Sequence, residues 1–371
     1  MRDLSLTQKF AEIYPELVAV AGVTMSDEPL SQRTTLHVGG QPIATVTCTS
    51  IEAIVAVVTT CDANHIPVLI VGGGSNLVIA DGTVDCVAVL VACDEITVNL
   101  ATGLVQAEAG AVWDEVVELA VASGLGGIEC LSGIPGSAGA VPVQNVGAYG
   151  AEVSDVLTRV RLLHRDTGID EWVPASELEL AYRYSNLKFT SRAVVLAIEM
   201  QLNPDGLSAP LRYGELARSL GATAGGQRQP ATQVREAVLA LRRAKGMVYD
   251  VTDHDTWSAG SFFTNPVVDA ERAEQIAARF PDQQVPRYPV AGTEEVKMSA
   301  AWLIQHAGFD KGFTLPPGRA GLSTKHTLAL TNRGEATTAD IVDLARHVRA
   351  GVAAEFGVLL EPEPVWIGIE I

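Results

Sequence analysis

The chain has 371 residues, of which 47% are hydrophobic and 19% charged, and its formal net charge is −18. This length predicts two or three domains with a sizeable core. The acidity argues against a nucleic-acid partner, because phosphate binding needs clustered Lys and Arg. An anionic substrate therefore requires a local basic pocket.

Targeting and redox signals predict a cytoplasmic chain without a membrane partner. The longest apolar run, Cys86–Ala92, is far shorter than the ~18 residues of a membrane span, and the polar N-terminus is unlike a signal peptide. The cysteines contain no CxxC pair and predict buried, reduced thiols. No His or acidic residues have metal-ligand spacing, so we predict no metal. The five cysteines are Cys48, Cys61, Cys86, Cys93 and Cys130.

The first half of the chain predicts mixed strands and helices. Ser50 is a suitable N-cap between a strand at Ala44–Thr49 and a helix with apolar residues at helical spacing. The short apolar strand Pro67–Val71 completes a βαβ unit. The remaining predicted elements are strands at Leu77–Ala80 and Cys86–Ala92, a hairpin over Ile96–Ala107 turning at 101–103, and a helix at Trp113–Ser123.

The second half predicts a hairpin, a strand and then a helical region. Gly221–Pro230 is poor in bulky apolar residues and predicts a domain boundary. The predicted elements are a hairpin of Val160–Leu163 with Ile169–Val173, a strand at Val194–Leu202, helices at Thr232–Lys245, Asp269–Phe280, Ser299–Ala307 and Thr338–Phe356, and strand character over Val358–Ile371.

The segment Ser132–Gly150 is the most informative part of the chain. It holds five glycines and two prolines, and no charge occurs from Leu131 to Ala151. Glycine allows close backbone approach and buried amides can bond a ligand directly. The segment is therefore either a surface for a heteroaromatic cofactor such as a flavin, or a turn packed beneath a helix. Its few hydrogen-bonding side chains are Ser132, Ser137, Gln144, Asn145 and Tyr149.

A second glycine-rich stretch, Gly72–Asn76, follows the strand ending at Val71. Successive small residues there can direct several N–H groups at a pyrophosphate. The alternative is a tight turn between strands. The stretch is not a Walker loop and does not match GxGxxG. Combined with Ser132–Gly150, it favours pyrophosphate binding.

Three further motifs carry candidate chemistry, each with an ordinary alternative. In Ala259–Pro266, two aromatic residues form a shelf that can fix Ser261 and Asn265, so that Ser261 is either a proton donor or a capping serine. In Tyr182–Ser185, Arg183 suits bidentate carboxylate recognition, or makes a surface cation–π contact. In EPEP, Glu363 faces an active site or lies in a solvated turn.

Another basic group closes a predicted helix. Arg242, Arg243 and Lys245 lie at its C-terminal end, where the dipole favours cations, so that a structural role suffices.

Taken together, these residues resemble the UDP-N-acetylenolpyruvoylglucosamine reductase family, in the branch with a substrate-loop tyrosine. The motifs occur in one order over nearly the whole chain: VGGGSN, SGIPG with QN.GAYG, YRYS, RYGEL, AGSFFTNP and EPE. One departure is Pro364, where the family usually has Val. The resemblance implies an NADPH-dependent flavoenzyme of peptidoglycan precursor synthesis that holds FAD non-covalently.

The implied fold is α+β, with a two-lobed FAD-binding domain of the vanillyl-alcohol-oxidase-like (PCMH-type) superfold and a mixed α/β substrate-binding domain. The implied regions are lobe 1 at 1–92, lobe 2 at 93–229, the substrate-binding domain at 230–356 and a C-terminal strand segment at 357–371. We expect a monomer.

The resemblance also implies the site residues. The catalytic trio is Arg183, Ser261 and Glu363. Tyr213, Lys245, Asn265, Lys311 and His326 line the substrate pocket. FAD is held by Gly72, Gly73, Gly74, Ser75, Asn76, Gly133, Ile134, Pro135, Gly136, Gly139, Gln144, Asn145, Gly147, Ala148 and Tyr149.

Three other functions stay open from the residues. One is an FAD-dependent oxidase or dehydrogenase of the same superfold acting on an alcohol or 2-hydroxy acid, against which the GSFFTNP region argues. Another is a nucleotide-binding regulatory protein without turnover. The third, a nicotinamide-only Rossmann dehydrogenase, is weakened by the failed GxGxxG register.

Overall fold

The computed structural model describes residues 4–223, 225–290 and 292–371, so that Ala224, within the predicted boundary at Gly221–Pro230, lies outside the described residues. The helices are α1 Leu6–Val18, α2 Ile51–Ala63, α3 Trp113–Ala122, α4 Gly214–Ser219, α5 Ala231–Ala244, α6 Ala270–Ala278, α7 Ala300–His306 and α8 Thr338–Phe356.

Four strands of the described residues have eight or nine residues, and the others have five or fewer. In chain order they are β1 Val23–Ser26, β2 Gln41–Cys48, β3 Val68–Val71, β4 Leu77–Ile79, β5 Thr83–Val91, β6 Ile96–Asn99, β7 Leu104–Glu108, β8 Gly147–Ala148, β9 Ala151–Glu152, β10 Leu157–His164, β11 Asp170–Pro174, β12 Ala193–Gln201, β13 Val267–Val268, β14 Arg287–Pro289, β15 Val296–Met298, β16 Ala320–Leu322, β17 Leu330–Asn332 and β18 Val365–Ile367.

The chain divides into two compact units. Unit 1 contains the described residues of Met1–Arg33, Gly40–Gly74 and Gly82–Val248. Unit 2 contains those of Thr34–Gly39, Ser75–Asp81 and Tyr249–Ile371.

Unit 1 is built on two sheets. The first has the order β1-β2-β5-β3, with β2, β5 and β3 parallel. The predicted βαβ unit is therefore present, with β5 inserted between its two strands. The second sheet, β11-β10-β12-β7-β6, is antiparallel and contains both predicted hairpins. Ser50 caps α2 by accepting from the Ala53 N–H, as predicted, and all five cysteines are buried.

Unit 2 packs its helices around a separate core. Thr337 caps α8, whose inward residues Ile341, Ala345, Val348 and Val352 recur at helical spacing and are buried. The Asp81 carboxylate accepts from the first two amides of α8, at 3.0 and 3.1 Å, which suits the positive end of the helix. Unit 2 also contains the sheet β13-β15-β14 and the pairs β16-β17 and β18-β4.

Some helices and strands of the structure were not predicted from the sequence, and one predicted strand region is longer than the strand observed. Helices α1 and α4, strand β1 and the short strands β8, β9 and β13 to β17 were not predicted. Within the predicted strand region Val358–Ile371 only Val365–Ile367 forms a strand. The prolines Pro362 and Pro364 supply no N–H, so that regular pairing begins only after them.

Candidate active site

Within unit 1 the two glycine-rich segments meet backbone to backbone. A Cβ added to Gly73 would lie 2.6 Å from the Gly136 Cα, and one added to Gly72 would lie 2.2 Å from the Ser137 Oγ. The Gly73 separation is to backbone and is too short for a real Cβ, so glycine is required there. At Gly72 the close atom is a serine hydroxyl, which would have to rotate away from an added Cβ. Gly74 has a left-handed φ of 59°. Ser75 and Asn76 continue into unit 2.

The segment after Ser132 forms a compact series of turns. Ala138–Ala140 is a single 3-10 turn, and Gly147–Ala148 pairs with Ala151–Glu152 as a short hairpin. A Cβ on Gly139 would lie 2.5 Å from that of Ala109, which explains the small residue. The FAD-binding residues predicted between Gly133 and Tyr149 thus lie in one compact segment of unit 1.

The Arg183 loop is tied to this segment by three hydrogen bonds. The Ser185 Oγ donates to the Val143 carbonyl at 2.5 Å, and the Asn145 Nδ2 donates to the Ala181 carbonyl at 3.0 Å. The Arg183 Nη2 donates to the Gly147 carbonyl at 2.6 Å. The guanidinium also lies over the Tyr182 ring at 5.0 Å, the cation–π contact that the sequence analysis gave as the alternative to carboxylate recognition.

Asn145 acts within the protein through its side chain. Besides its bond to Ala181, its Nδ2 donates to the Glu152 carboxylate at 2.9 Å, and its Oδ1 accepts from the Ser154 N–H at 3.1 Å. The residue is buried, with a left-handed φ of 45°. Its side chain therefore organises the segment, and the contact of Asn145 with FAD stays a prediction.

A cluster of polar and aromatic side chains surrounds Tyr149 in unit 1. The Tyr213 ring meets the Tyr149 ring edge-on at 5.5 Å. The Lys245 Nζ forms a 2.6 Å ion pair with Glu215, two residues after Tyr213. Burial raises the pKa of the Tyr149 hydroxyl to about 12. The predicted substrate residues Tyr213 and Lys245 are thus neighbours in this cluster.

Arg242 belongs to the same cluster and was missed by the sequence analysis, which gave it only a helix-capping role. Its Nη2 donates to the Met247 carbonyl at 2.7 Å, but its Nε is shielded from solvent and has no hydrogen-bond partner among the described residues. Burial lowers the pKa of Arg242 to about 10. The signal was available, since Val234, Val238 and Arg242 are four residues apart and place the arginine on the buried face of α5.

Asp114 fixes Gly133 at the entrance of the segment. Its Oδ1 accepts from the Gly133 N–H and from the Arg235 Nη1, both at 2.6 Å. Burial alone raises the pKa of the Asp114 carboxyl, but these hydrogen bonds outweigh it and hold that pKa below its ordinary value.

In unit 2, the Ser261 segment pairs with the Glu363 segment. The Glu363 N–H donates to the Phe262 carbonyl at 2.9 Å, and the Thr264 N–H donates to the Glu361 carbonyl at 2.9 Å. Phe262 and Phe263 are buried and pack edge to face at 5.2 Å, which confirms the predicted aromatic shelf.

Pro364 is accommodated within the local backbone pairing. The backbone N–H groups on either side of it are used, with that of Glu363 bonded to Phe262 and that of Val365 bonded to the Asn76 carbonyl at 2.8 Å. The missing proline N–H falls between these two bonds, where the pairing does not require a donor. The Asn76 Nδ2 also reaches the Glu363 carbonyl at 3.5 Å.

The other predicted substrate residues of unit 2 have distinct settings. The Asn265 Oδ1 accepts from the Ala300 N–H at the start of α7, at 2.9 Å. His326 begins a turn closed by the Ala329 N–H, next to Leu328, whose carbonyl accepts from Phe262. Lys311 is exposed. Among the described residues, no group of His, Cys, Asp or Glu side chains has a metal-site arrangement.

Two features of unit 1 fit a bound FAD. The close contact of Gly73 with Gly136 makes a surface of backbone amides without intervening side chains, which suits a pyrophosphate. The shielded Nε of Arg242 is a hydrogen-bond donor without an acceptor among the described residues, and a flavin carbonyl or ring nitrogen would provide one.

Comparisons with known proteins agree with these features. Residues 42–169 match a family model described as "FAD binding domain", and residues 252–367 match "UDP-N-acetylenolpyruvoylglucosamine reductase, C-terminal domain". These matches confirm the predicted α+β fold class. No helix within the described ranges is both long and apolar enough to cross a bilayer.

Similar proteins cover the whole length of the chain. The UDP-N-acetylenolpyruvoylglucosamine reductase of Corynebacterium diphtheriae is 61% identical over 369 residues, which cover 100% of this chain and 97% of that protein. That of Mycolicibacterium smegmatis is 53% identical, over 94% of this chain and 97% of that protein. The crystal structure of the Thermus caldophilus reductase has a TM-score of 0.63 at 23% identity, over 93% of this chain and 99% of that one, and supports the fold. This chain therefore belongs to the UDP-N-acetylenolpyruvoylglucosamine reductase family.

Proposed function

We propose that this chain uses NADPH to reduce the enolpyruvyl ether of UDP-N-acetylglucosamine enolpyruvate, giving UDP-N-acetylmuramate for peptidoglycan precursor synthesis. The observation that carries the proposal is the three-point attachment of the Arg183 loop to the glycine-rich segment, in a chain of this reductase family. It brings a fixed cation to the surface that fits FAD.

When bound, FAD would supply the redox chemistry, carrying hydride from NADPH to the terminal methylene carbon of the enolpyruvyl group. The residues that hold it are those of Gly72–Asn76 and of the segment from Gly133 to Tyr149, with backbone amides directed at the pyrophosphate. We add Arg242 to this set, because its shielded Nε has a free donor position among the described residues.

Arg183 stabilises the charge that develops during reduction. Hydride addition to the methylene carbon leaves negative charge on the neighbouring carbon, delocalised into the carboxylate. A guanidinium already fixed by Gly147 and Tyr182 needs little reorganisation to face that carboxylate, which is the condition for electrostatic preorganisation.

Ser261 and Glu363 complete the trio. The Ser261 hydroxyl delivers the proton to the carbon next to the carboxylate. Glu363, in its neutral form, donates a hydrogen bond to the enolate oxygen. The supporting observation lies within unit 2: the hydrogen bond from the Glu363 N–H to the Phe262 carbonyl pairs the backbone segments that carry Ser261 and Glu363.

The sugar nucleotide is assigned to Tyr213, Lys245, Asn265, Lys311 and His326. Lys245 supplies positive charge for the diphosphate in an otherwise acidic chain, and Tyr213 lies on an exposed loop beside Tyr149. We further propose a monomer that acts in the cytoplasm without nucleic-acid or membrane partners. The functional regions 1–92, 93–229, 230–356 and 357–371 belong to the same proposal.

Family membership argues against the other functions considered. The C-terminal match over residues 252–367 disfavours an oxidase or dehydrogenase acting on an alcohol or 2-hydroxy acid. Turnover with NADPH would exclude a non-catalytic regulator. A flavin bound to the purified protein would exclude a nicotinamide-only Rossmann dehydrogenase.

The deciding experiment is anaerobic stopped-flow of the purified, FAD-loaded protein. NADPH should bleach the flavin absorbance near ~450 nm, and the enolpyruvyl sugar nucleotide should then restore it. Bleaching without restoration by the sugar nucleotide, or restoration by a 2-oxo acid but not by the sugar nucleotide, would overturn the proposal.

A further inference from the structure

Arg183 occupies a backbone conformation that an arginine does not adopt without support. Its φ is 54°, in the left-handed region, which is unfavourable for a non-glycine residue. The residue is at a corner of a tight turn, closed by reciprocal backbone hydrogen bonds between Ala181 and Tyr184 at 3.1 and 3.0 Å. Glycine or asparagine usually occupies such a corner.

A buried lysine contacts this corner. The Lys188 Nζ donates to the Arg183 carbonyl at 3.2 Å, and Lys188 is only 7% exposed. Its own N–H donates to the Ser185 carbonyl at 3.1 Å, which fixes the start of the side chain. Burying an ammonium group is costly unless it is hydrogen-bonded. The bond from Lys188 to the Arg183 carbonyl offsets part of this cost, whereas an apolar side chain would make no such bond.

The contact acts on the peptide group that follows Arg183. Rotation of this peptide plane exchanges the left-handed conformation for others and redirects the Arg183 side chain. A charge-assisted bond to the carbonyl opposes that rotation. It complements the bond from the guanidinium to Gly147, so that both ends of Arg183 are held.

We propose that Lys188 is a positioning residue for Arg183, holding its left-handed backbone so that the guanidinium faces the substrate carboxylate. This inference rests on the proposed function, because it assigns Lys188 a role only in the half-reaction that uses Arg183. In this proposal Lys188 acts only through Arg183 and does not contact the substrate.

The test compares K188M with K188R and with a matched control, R192M, each as the FAD-loaded protein. Arg192 is an exposed cation of the same loop that bonds Asn186, with Nε to its carbonyl at 3.1 Å and Nη2 to its Oδ1 at 2.5 Å. In K188M we expect flavin reduction by NADPH to stay within about twofold, while reoxidation by the enolpyruvyl sugar nucleotide slows by about tenfold to a hundredfold, as small misplacements of a catalytic group do.

The conservative and control variants sharpen the result. K188R keeps a charged donor and should recover most of the reoxidation rate, and R192M should leave both half-reactions unchanged. In a double-mutant cycle with R183K, K188M should add little further loss, because its effect passes through Arg183. Normal reoxidation in K188M, equal loss in both half-reactions, or additive losses in the double variant would each overturn the inference.

The outcomes also distinguish a failure of the proposed role of Arg183 from a failure of the proposed role of Lys188. If R183K itself reoxidises normally, the proposed role of Arg183 fails and the inference fails with it. If R183K is impaired and K188M is not, only the inference fails. Should K188M not fold, K188Q and K188R replace it, and a loss in K188Q confined to reoxidation and absent in K188R is still required.

Discussion

The guanidinium of Arg183 donates a hydrogen bond to the Gly147 carbonyl at 2.6 Å. A Cβ on Gly147 would lie 3.1 Å from the Arg183 Nη1 and 2.8 Å from the Glu152 Cγ. The glycine-rich segment is therefore shaped to admit the arginine, and two motifs separated by more than thirty residues in sequence form one structural element.

Arg183→Lys should cause a large loss in the oxidative half-reaction. An ammonium cannot reproduce both the planar stacking on Tyr182 and the forked geometry of the guanidinium. Removing one such preorganised donor typically slows the reaction by about a hundredfold to a thousandfold. Stopped-flow reoxidation of the reduced enzyme measures it. A loss of less than threefold would show that a simple positive charge suffices.

Ser261→Ala should separate the half-reactions. Flavin reduction by NADPH should stay near normal, because the hydroxyl is required only for proton delivery, whereas reoxidation by the enolpyruvyl substrate should collapse. Ser258→Ala, which removes only a 3.2 Å turn hydrogen bond to the Gly260 N–H, is the control. If the Ser261 variant retains both half-reactions, another group is the acid.

Gly73→Ala should impair FAD binding. The added methyl group would meet the Gly136 Cα at 2.6 Å and force the two glycine-rich segments apart. Gly214→Ala is the control, since its Cβ would make only an ordinary 3.6 Å contact with Arg218. Flavin content after purification and FAD titration of the apoprotein measure the effect. Equal flavin content in the two variants would contradict a role for this contact in the cofactor site.

Arg242→Met should weaken FAD binding without destabilising the apoprotein. A hydrogen bond from a charged group contributes about 1.5–3 kcal/mol, so the dissociation constant should rise by roughly tenfold to a hundredfold. Replacing a buried, incompletely paired charge with an apolar side chain is often neutral for stability. Arg243→Met, at an exposed neighbour, should change neither quantity. Unchanged FAD affinity in the Arg242 variant would remove Arg242 from the cofactor site.

Asp114→Asn should reduce stability in a pH-dependent way. The carboxylate accepts from Gly133 and Arg235, and losing such charged hydrogen bonds costs about 1–3 kcal/mol. Because the folded-state pKa of Asp114 is below its ordinary value, its contribution is present above about pH 4 and is lost as the pH falls through the folded-state pKa.

Urea unfolding of the apoprotein at several pH values measures this difference. The gap between wild type and the Asp114 variant should be full at pH 7 and shrink below pH 4. Asp343→Asn is the control, since its contact with Arg346 is exposed and 4.0 Å long and should contribute little. A gap that grows as the pH falls would contradict the assignment.

The sequence alone determined several of the main elements and the family to which the site belongs. Helical spacing and caps predicted α2, α5 and α8, turn residues predicted both hairpins, and the motifs from VGGGSN to EPE identified the family and its cofactor. These signals are local, because each depends on residues within a turn or two of one another.

Tertiary structure decided which of those residues support one another. Only in the fold does Asn145 turn its side chain to Ala181 and Glu152, Arg242 become a shielded donor, and Lys188 reach the Arg183 carbonyl. These are pairings across a loop or between distant segments, fixed by backbone approach and burial. Sequence spacing carries no record of such contacts, because they arise from how separate elements pack.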